Sequence, residues 1–192
     1  MITAIVLAAG TSSRLGRPKQ LLELDGRPLL AHAVELAAKH FDEVVVILGH
    51  EADRIEAALR LPPTGRIVRN DLYSEGQRSS VRKGLAAASE GGNDAAVLLG
   101  DQPRVPDELV ERTVEAFRHG RANVVRPRHG DAPGHPVMVR SGLARRLGAG
   151  PDEALAGHLR GEEVEWVIAD PEAPADVDTW EAYESLLDRP GP

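Results

Sequence analysis

The chain has 192 residues, 42% of them hydrophobic, a formal charge of −7 and no cysteine. The hydrophobic share excludes a disordered chain, and the length suits one domain with a substantial core. The missing cysteines exclude disulfides, thiolate zinc sites and a cysteine nucleophile, and the acidic balance argues against nucleic acid as the main partner.

In chain order, apolar runs of strand length fall at 3–8, 44–48, 66–69, 95–99, 123–126, 136–139 and 163–168. Most are continuous rather than alternating, which predicts strands buried on both faces. Between them, apolar residues recur at helical spacing. They are Leu30, Val34 and Ala37; Ile55, Ala58 and Leu59; Val81, Leu85 and Ala88; Leu109, Val110, Thr113, Val114 and Phe117; and finally Trp180, Tyr183 and Leu187. Strand–helix alternation with short links predicts an α/β fold of three layers, a mainly parallel sheet with helices on both faces. Gly/Pro-rich stretches at 62–65, 128–134 and 147–151 read as loops, the middle one as a mobile substrate loop. Residues 1–188 form one expected domain and 189–192 a frayed tail. The early apolar run at 5–9 is too short to cross a bilayer, and no secretory pattern precedes it. No membrane partner is expected, and the cytoplasm is the default compartment.

Charge is unevenly spread. Residues 151–192 hold twelve acids and two bases, so residues 1–150 carry a net +3. Arg14, Arg17, Lys19 and Arg27 form a local basic cluster suited to a small anion.

That cluster lies in the segment following the first strand, 7–22. Ligands of open parallel sheets bind beyond the carboxyl ends of the strands. Gly10 and Gly16 permit close backbone approach and positive φ. The amides of Thr11, Ser12 and Ser13 are then free to face phosphate oxygens, with Arg14 and Lys19 adding charge. The spacing fits neither a Walker A loop nor a Gly-x-Gly-x-x-Gly fingerprint, because Gly10 and Gly16 are separated by five residues and Lys19 comes three later. From the residues alone, a phosphate cradle and a polar surface loop with two turn glycines both stay open.

The pattern Leu7-Ala-Ala-Gly-x-Ser-x-Arg-Leu-Gly-x-x-Lys19 resembles the signature loop of nucleotidyltransferases with a glycosyltransferase-A-like Rossmann fold. It is most similar to the molybdenum cofactor cytidylyltransferase group. Four further segments resemble that family in order: 70–85, ending in Gly-x-x-Ser-Ser-Val-x-x-Gly-Leu; Leu99-Gly-Asp-Gln-Pro103; Gly134-His-Pro-Val137; and Asp176-Val-Asp-Thr179. Leu15 stands where many relatives have Met, a harmless hydrophobic swap.

The resemblance implies that Gly10, Arg14 and Lys19 cradle a triphosphate. It places the base and ribose against Leu7, Ala8, Ala9 and Gly10, with Ser79 and Ser80, and puts His135 on the pterin side. Ala8-Ala9-Gly10 goes with cytidine. Asp101 is the first expected ligand of Mg²⁺ and Asp178 the second, with Asp176 as its alternative. Each residue also has a structural reading. Asp101 can be a turn residue before Pro103, Asp178 a helix cap with Glu181, Ser79 and Ser80 caps of a helix beginning near Gln77, and His135 a core histidine.

The implied catalytic set is Arg14, Lys19 and Asp101. The implied reaction transfers a nucleotidyl group from a nucleoside triphosphate, CTP favoured, to the terminal phosphate of a phosphorylated pterin cofactor. A molybdenum oxidoreductase or its maturation factor is the implied downstream partner. Two alternatives remain: a sugar-phosphate or other small-phosphate nucleotidylyltransferase, and a non-catalytic carrier of the pterin cofactor. No close histidine spacing supports a zinc hydrolase, and no Gly-x-Ser-x-Gly elbow supports a serine hydrolase.

Overall fold

A computed structural model describes residues 1–150, 155–159 and 161–188. The tail expected at 189–192 and residue 151 of the third expected loop lie outside them. The chain is a three-layer α/β/α sandwich around a mainly parallel sheet. Strands β1 (Ile2–Ala8), β4 (Glu43–Leu48), β5 (Gly65–Arg69), β6 (Asp94–Leu99), β7 (Val124–His129), β9 (Val137–Val139) and β10 (Val164–Ala169) lie in the order β10-β7-β9-β6-β1-β4-β5. β9 runs antiparallel to both neighbours, while the pairings β1–β4, β1–β6, β4–β5 and β7–β10 are parallel. β8 (Ala132–Pro133) hangs on β7, and β2 (Glu23–Leu24) with β3 (Arg27–Pro28) forms a separate hairpin.

Every residue of β1 is buried, as its unbroken apolar run requires of a central strand with helices on both faces. One face packs on α1 (Leu29–His40), α2 (Ala52–Ala58) and α4 (Asp107–His119), through Leu30, Val34, Ile55, Val110 and Phe117. The other packs on α3 (Gln77–Ser89) and α5 (Ser141–Ala149), through Val81, Leu85, Leu143 and Leu147. A third cluster joins Leu15, Leu22, Leu24 and Leu29 to Val177 and Leu186, with Trp180 and Tyr183 packed against it. It welds the segment after β1 to α7 (Trp180–Leu187).

Three expectations change. The stretch 128–134 is a hairpin rather than a mobile loop, because Gly130 at φ +58 closes the turn and His129 pairs with Ala132. Leu147 belongs to α5. Gly148 there is a packing device, since a Cβ on it would lie 2.7 Å from the Ala86 nitrogen of α3. On α7 the buried residue is Leu186, while Leu187 is 50% exposed; Ala58 of α2 is also exposed. The four-residue α6 (Leu155–His158) completes the described helices.

Glycine also sets how closely α3 approaches the sheet. A Cβ on Gly84 would sit 2.3 Å from Ile5 Cγ2, whereas one on Gly142 in α5 meets nothing. Gly84→Ala is expected to lower unfolding free energy by about 1–3 kcal/mol. Gly142→Ala is expected to leave stability unchanged or raise it by up to about 1 kcal/mol. Denaturant midpoints check both; equal effects would contradict the packing.

Candidate active site

β1 and β6 are neighbours in parallel register, so the segments leaving their carboxyl ends emerge side by side. The Gly100 amide donates to the Leu7 carbonyl at 2.9 Å. A side chain on Gly100 would strike Leu30 and that same carbonyl oxygen, so glycine lets the two segments close up. Asp101 follows at once. The segment after Ala8 returns through a turn in which Ser12 (φ 52) and Gly16 (φ 66) take left-handed backbone. Ser12 Oγ accepts from the Lys19 amide at 3.0 Å. Gly10, expected to supply positive φ, does not; Ser12 takes that conformation instead.

Gln20 is buried, and its Nε2 donates to the carbonyls of Ala8 (2.7 Å) and Gly10 (3.3 Å), pinning the loop backbone. These contacts lift Lys19 toward the sheet edge. Val177 N–H donates to the Asp101 carbonyl at 3.0 Å, carrying the next-but-one carboxylate chain segment to the same place.

Three side chains meet there. Lys19 Nζ lies 2.5 Å from Asp101 Oδ2 and 2.6 Å from Asp178 Oδ1. Arg14 reaches Asp178 at 3.4 Å from a more exposed position. Burial pulls the Lys19 pKa down, but the two carboxylates outweigh it and hold the ammonium above its usual range. The hydrogen bond from Lys19 is the chief reason Asp178 lies below the ordinary carboxylate range. Asp176 differs: burial, then the nearby Asp101 charge, raises its pKa, and its Oδ1 accepts from Gln102 Nε2 at 2.7 Å. Asp178, not Asp176, thus shares Lys19 with Asp101. Asp178 is not the cap of α7 either: Thr179 Oγ1 fills that role, accepting from the Ala182 amide at 3.2 Å.

The cluster forms one wall of a cavity of about 480 Å³. Leu7, Ala8, Ala9 and Gly10 line it, as do Lys19, Ser80, Asp101, Asp176 and Asp178. Ser79 does not: its hydroxyl donates to the Leu72 and Gly76 carbonyls, a bond to chain rather than a cap of helix amides. Gly76 is the residue at the cap of α3. Asn70, buried, donates to both serine hydroxyls and fixes the start of α3 against the cavity. His135 is not among the residues lining the cavity; its Nδ1 donates to the Val97 carbonyl at 3.1 Å.

Gln20 escapes a reading by motif, since it neighbours the lysine but carries no charge to single it out. Asn70 and Gln102 lie inside the matched segments, but their contacts with Ser79, Ser80 and Asp176 show only in the fold. Among the described residues another group, His40, Asp107 and Glu111, brings metal-ligating atoms within 4.8 Å of one another. It lies outside the cavity, and Lys39 already pairs with Asp107.

Two measurements follow from these contacts. Burial holds the His135 imidazole down to about 4. A depressed pKa favours the neutral fold, so this contribution is complete above the ordinary value of 6.5 and is lost as pH falls through about 4. The stability advantage of the native chain over His135→Asn should shrink by at least about 1 kcal/mol between about pH 7.5 and about pH 4.5. A pH-independent gap in denaturant titrations contradicts this. Thr179→Ala should cost about 1 kcal/mol through the lost cap; no change in melting would contradict the assignment.

The chain is 33% identical over 198 residues to the nicotine blue oxidoreductase of Paenarthrobacter nicotinovorans, covering 97% of this chain and 96% of that protein. Rv0371c from Mycobacterium tuberculosis H37Rv superposes with a TM-score of 0.84 at 30% identity, covering 98% of this chain and 97% of its own. Rv0371c is also known in complex with manganese. Mth528, a nucleotidyl transferase from Methanothermobacter thermautotroptrophicus, superposes with a TM-score of 0.82 at 28% identity, covering 98% and 96%. Other curated relatives are longer, and the chain spans 32% of their length while matching over 74% of its own. Residues 4–167 match the MobA-like NTP transferase domain, and the chain belongs to that nucleotidyltransferase family.

Proposed function

We propose that the protein transfers a nucleotidyl group from CTP to the terminal phosphate of a phosphorylated pterin cofactor, with Mg²⁺ held by Asp101 and Asp178. The observation that carries this reading is the contact of one ammonium, Lys19 Nζ, with both carboxylates at the cavity wall. Two carboxylates converging on one cation offer the hard oxygen donors that Mg²⁺ and Mn²⁺ take. Rv0371c, a relative at 29% identity in its manganese complex, supports a divalent ion in this fold. When bound, such an ion neutralises phosphate charge and polarises the α-phosphorus.

The chain's own residues do the remaining work. Lys19, held protonated, and Arg14 provide positive charge for the triphosphate. Gly10 and Ala9 bring backbone against the nucleotide, and Ser80 faces it from α3. An oxygen of the acceptor phosphate forms a bond to the α-phosphorus. The bond from that phosphorus to the bridging oxygen breaks, and pyrophosphate leaves with the electron pair. The attacking phosphate is already anionic, so no strong general base is needed. Ala9, 5% exposed at the cavity wall, narrows the base pocket in favour of cytosine.

A sugar-phosphate acceptor or a carrier role without turnover are the competing readings. The similarity to nicotine blue oxidoreductase carries one more, redox chemistry on a small organic molecule. Pyrophosphate release, measured for each nucleoside triphosphate against phosphorylated pterin and sugar acceptors, separates them, with redox turnover of nicotine blue assayed in parallel. CTP with the pterin acceptor should be the fastest pair. Release only with sugar phosphates, no release despite cofactor binding, or redox turnover of nicotine blue alone each favours a competitor.

Lys19→Met and Asp101→Asn should each lower turnover at least about tenfold while leaving the far-ultraviolet circular dichroism unchanged. Unchanged activity in both sinks the site assignment, and GTP outcompeting CTP sinks the base-pocket argument.

A further inference from the structure

Where β1 gives way to the loop that follows it, each backbone acceptor already has a donor. The Leu7 carbonyl accepts from the Gly100 amide at 2.9 Å, and the Ala9 carbonyl from the His50 amide at 3.3 Å. The carbonyls of Ala8 and Gly10 both accept from Gln20 Nε2, at 2.7 and 3.3 Å. The backbone donors that follow are open. Among the described residues, no backbone carbonyl takes the amides of Gly10, Thr11, Ser12, Ser13 or Arg14. Gly10 and Thr11 line the cavity. The loop thus commits its carbonyls to the protein and keeps a run of N–H groups, the polarity that suits an anion.

That polarity needs support. Ser12 holds left-handed backbone (φ 52), which is unfavourable for a residue with a Cβ. Its hydroxyl accepts from the Lys19 amide at 3.0 Å. A 3₁₀ turn at Lys19–Leu21 follows. With three residues per turn, successive side chains point about 120° apart. Lys19 therefore reaches Asp101 and Asp178 while Gln20, 2% exposed, enters the loop. The donors to Leu7 and Ala9 are backbone amides, which most residue types supply. The donor to Ala8 and Gly10 is a side chain, and a single amide group serves both carbonyls. Without it the two carbonyls lose their donor, and the loop is free to rotate acceptors toward the cavity.

We propose that Gln20 is a positioning residue for the triphosphate: by engaging the Ala8 and Gly10 carbonyls it keeps the loop in its anion-accepting polarity before any nucleotide arrives. It acts through the loop backbone and not on the reacting atoms. The assignment rests on the reading of this cavity as a nucleoside triphosphate site. A loop that is already formed binds with its full intrinsic affinity, whereas one formed part of the time binds with that affinity reduced by the formed fraction. A bound triphosphate restores the loop, so loss of Gln20 falls on binding and spares the chemical step.

Calorimetric titration of the full chain with CTP and Mg²⁺, beside steady-state turnover, tests this. Gln20→Met keeps the bulk of the side chain and removes the donor. It should weaken CTP binding and raise KM by at least about fivefold while kcat stays within about twofold. At about pH 8, Gln20→Glu sets a carboxylate against two carbonyl oxygens and should bind CTP more weakly than Gln20→Met. Protonation gives that carboxyl a hydrogen to donate, so its affinity relative to the native chain should recover at least about threefold by about pH 5.5. Should Gln20→Met fail to fold by circular dichroism, Ser12→Ala serves, with an expected loss of about threefold or more through the freed Lys19 amide. Native-like CTP affinity in Gln20→Met overturns the proposal. So does a fall in kcat at unchanged KM, since Gln20 would then act on the reaction itself. Absence of pyrophosphate release from the native chain strikes the transfer reading and leaves the CTP affinities to judge Gln20. If the native chain binds tripolyphosphate but not CTP, the nucleotide reading fails, and the tripolyphosphate affinities of native and Gln20→Met chains decide. A native chain that binds neither overturns both.

Discussion

One ammonium between two carboxylates organises the working end of this molecule. Lys19 contacts Asp101 and Asp178, residues separated from it by 82 and 159 positions. Removing the lysine would leave two acids facing each other with reduced access to water, an arrangement that raises carboxyl pKa values and costs stability. The contact therefore locks three remote segments into one wall. It also sets a positive charge at the wall of a cavity of about 480 Å³.

The rest of the structure brings that contact about. The parallel pairing of β1 with β6 delivers the Lys19 loop and Asp101 to the same edge. The cluster of Leu15, Leu22, Leu24 and Leu29 with Val177 and Leu186 draws in the last segment, so Asp178 arrives by hydrophobic packing rather than by charge alone. Arg17 over the Trp180 ring, at 5.2 Å, and the Tyr183 hydroxyl donating to the Glu23 carbonyl reinforce that seam. Directed polar contacts then set the local shape: Gln20 on the carbonyls of Ala8 and Gly10, and Asn70 on the hydroxyls of Ser79 and Ser80. Because Ser79 spends its hydroxyl on the Leu72 and Gly76 carbonyls, only Ser80 of the pair faces the cavity.

Much of this was legible in the sequence, for identifiable reasons. Buried parallel strands leave unbroken apolar runs, and all seven such runs became strands within a few residues of their expected ends. The place of Asp101 at the sheet edge was legible because it follows the end of β6 by two residues, whereas Lys19, eleven residues past β1, stood out by its charge and by the motif resemblance. The α5 helix was not, since Gly148 reads as a loop residue until the close α3 backbone is seen. The 128–134 hairpin escaped because Gly130, Pro127 and Pro133 suggest irregular chain while the ladder through His129 and Ala132 continues past them. Contacts such as Gln102 with Asp176 and Val177 with Asp101 depend on chain closure across more than seventy residues, which no local pattern carries. Thr179 rather than Asp178 caps α7, a choice of one position that only the backbone makes.

The most direct test is a crystal structure of the chain with Mn²⁺ and a non-hydrolysable CTP analogue, the ion placed by anomalous scattering. The account predicts the manganese peak between the carboxylates of Asp101 and Asp178, with Lys19 Nζ turned onto the triphosphate. A peak confined to His40, Asp107 and Glu111, with the triphosphate distant from Lys19, would contradict it.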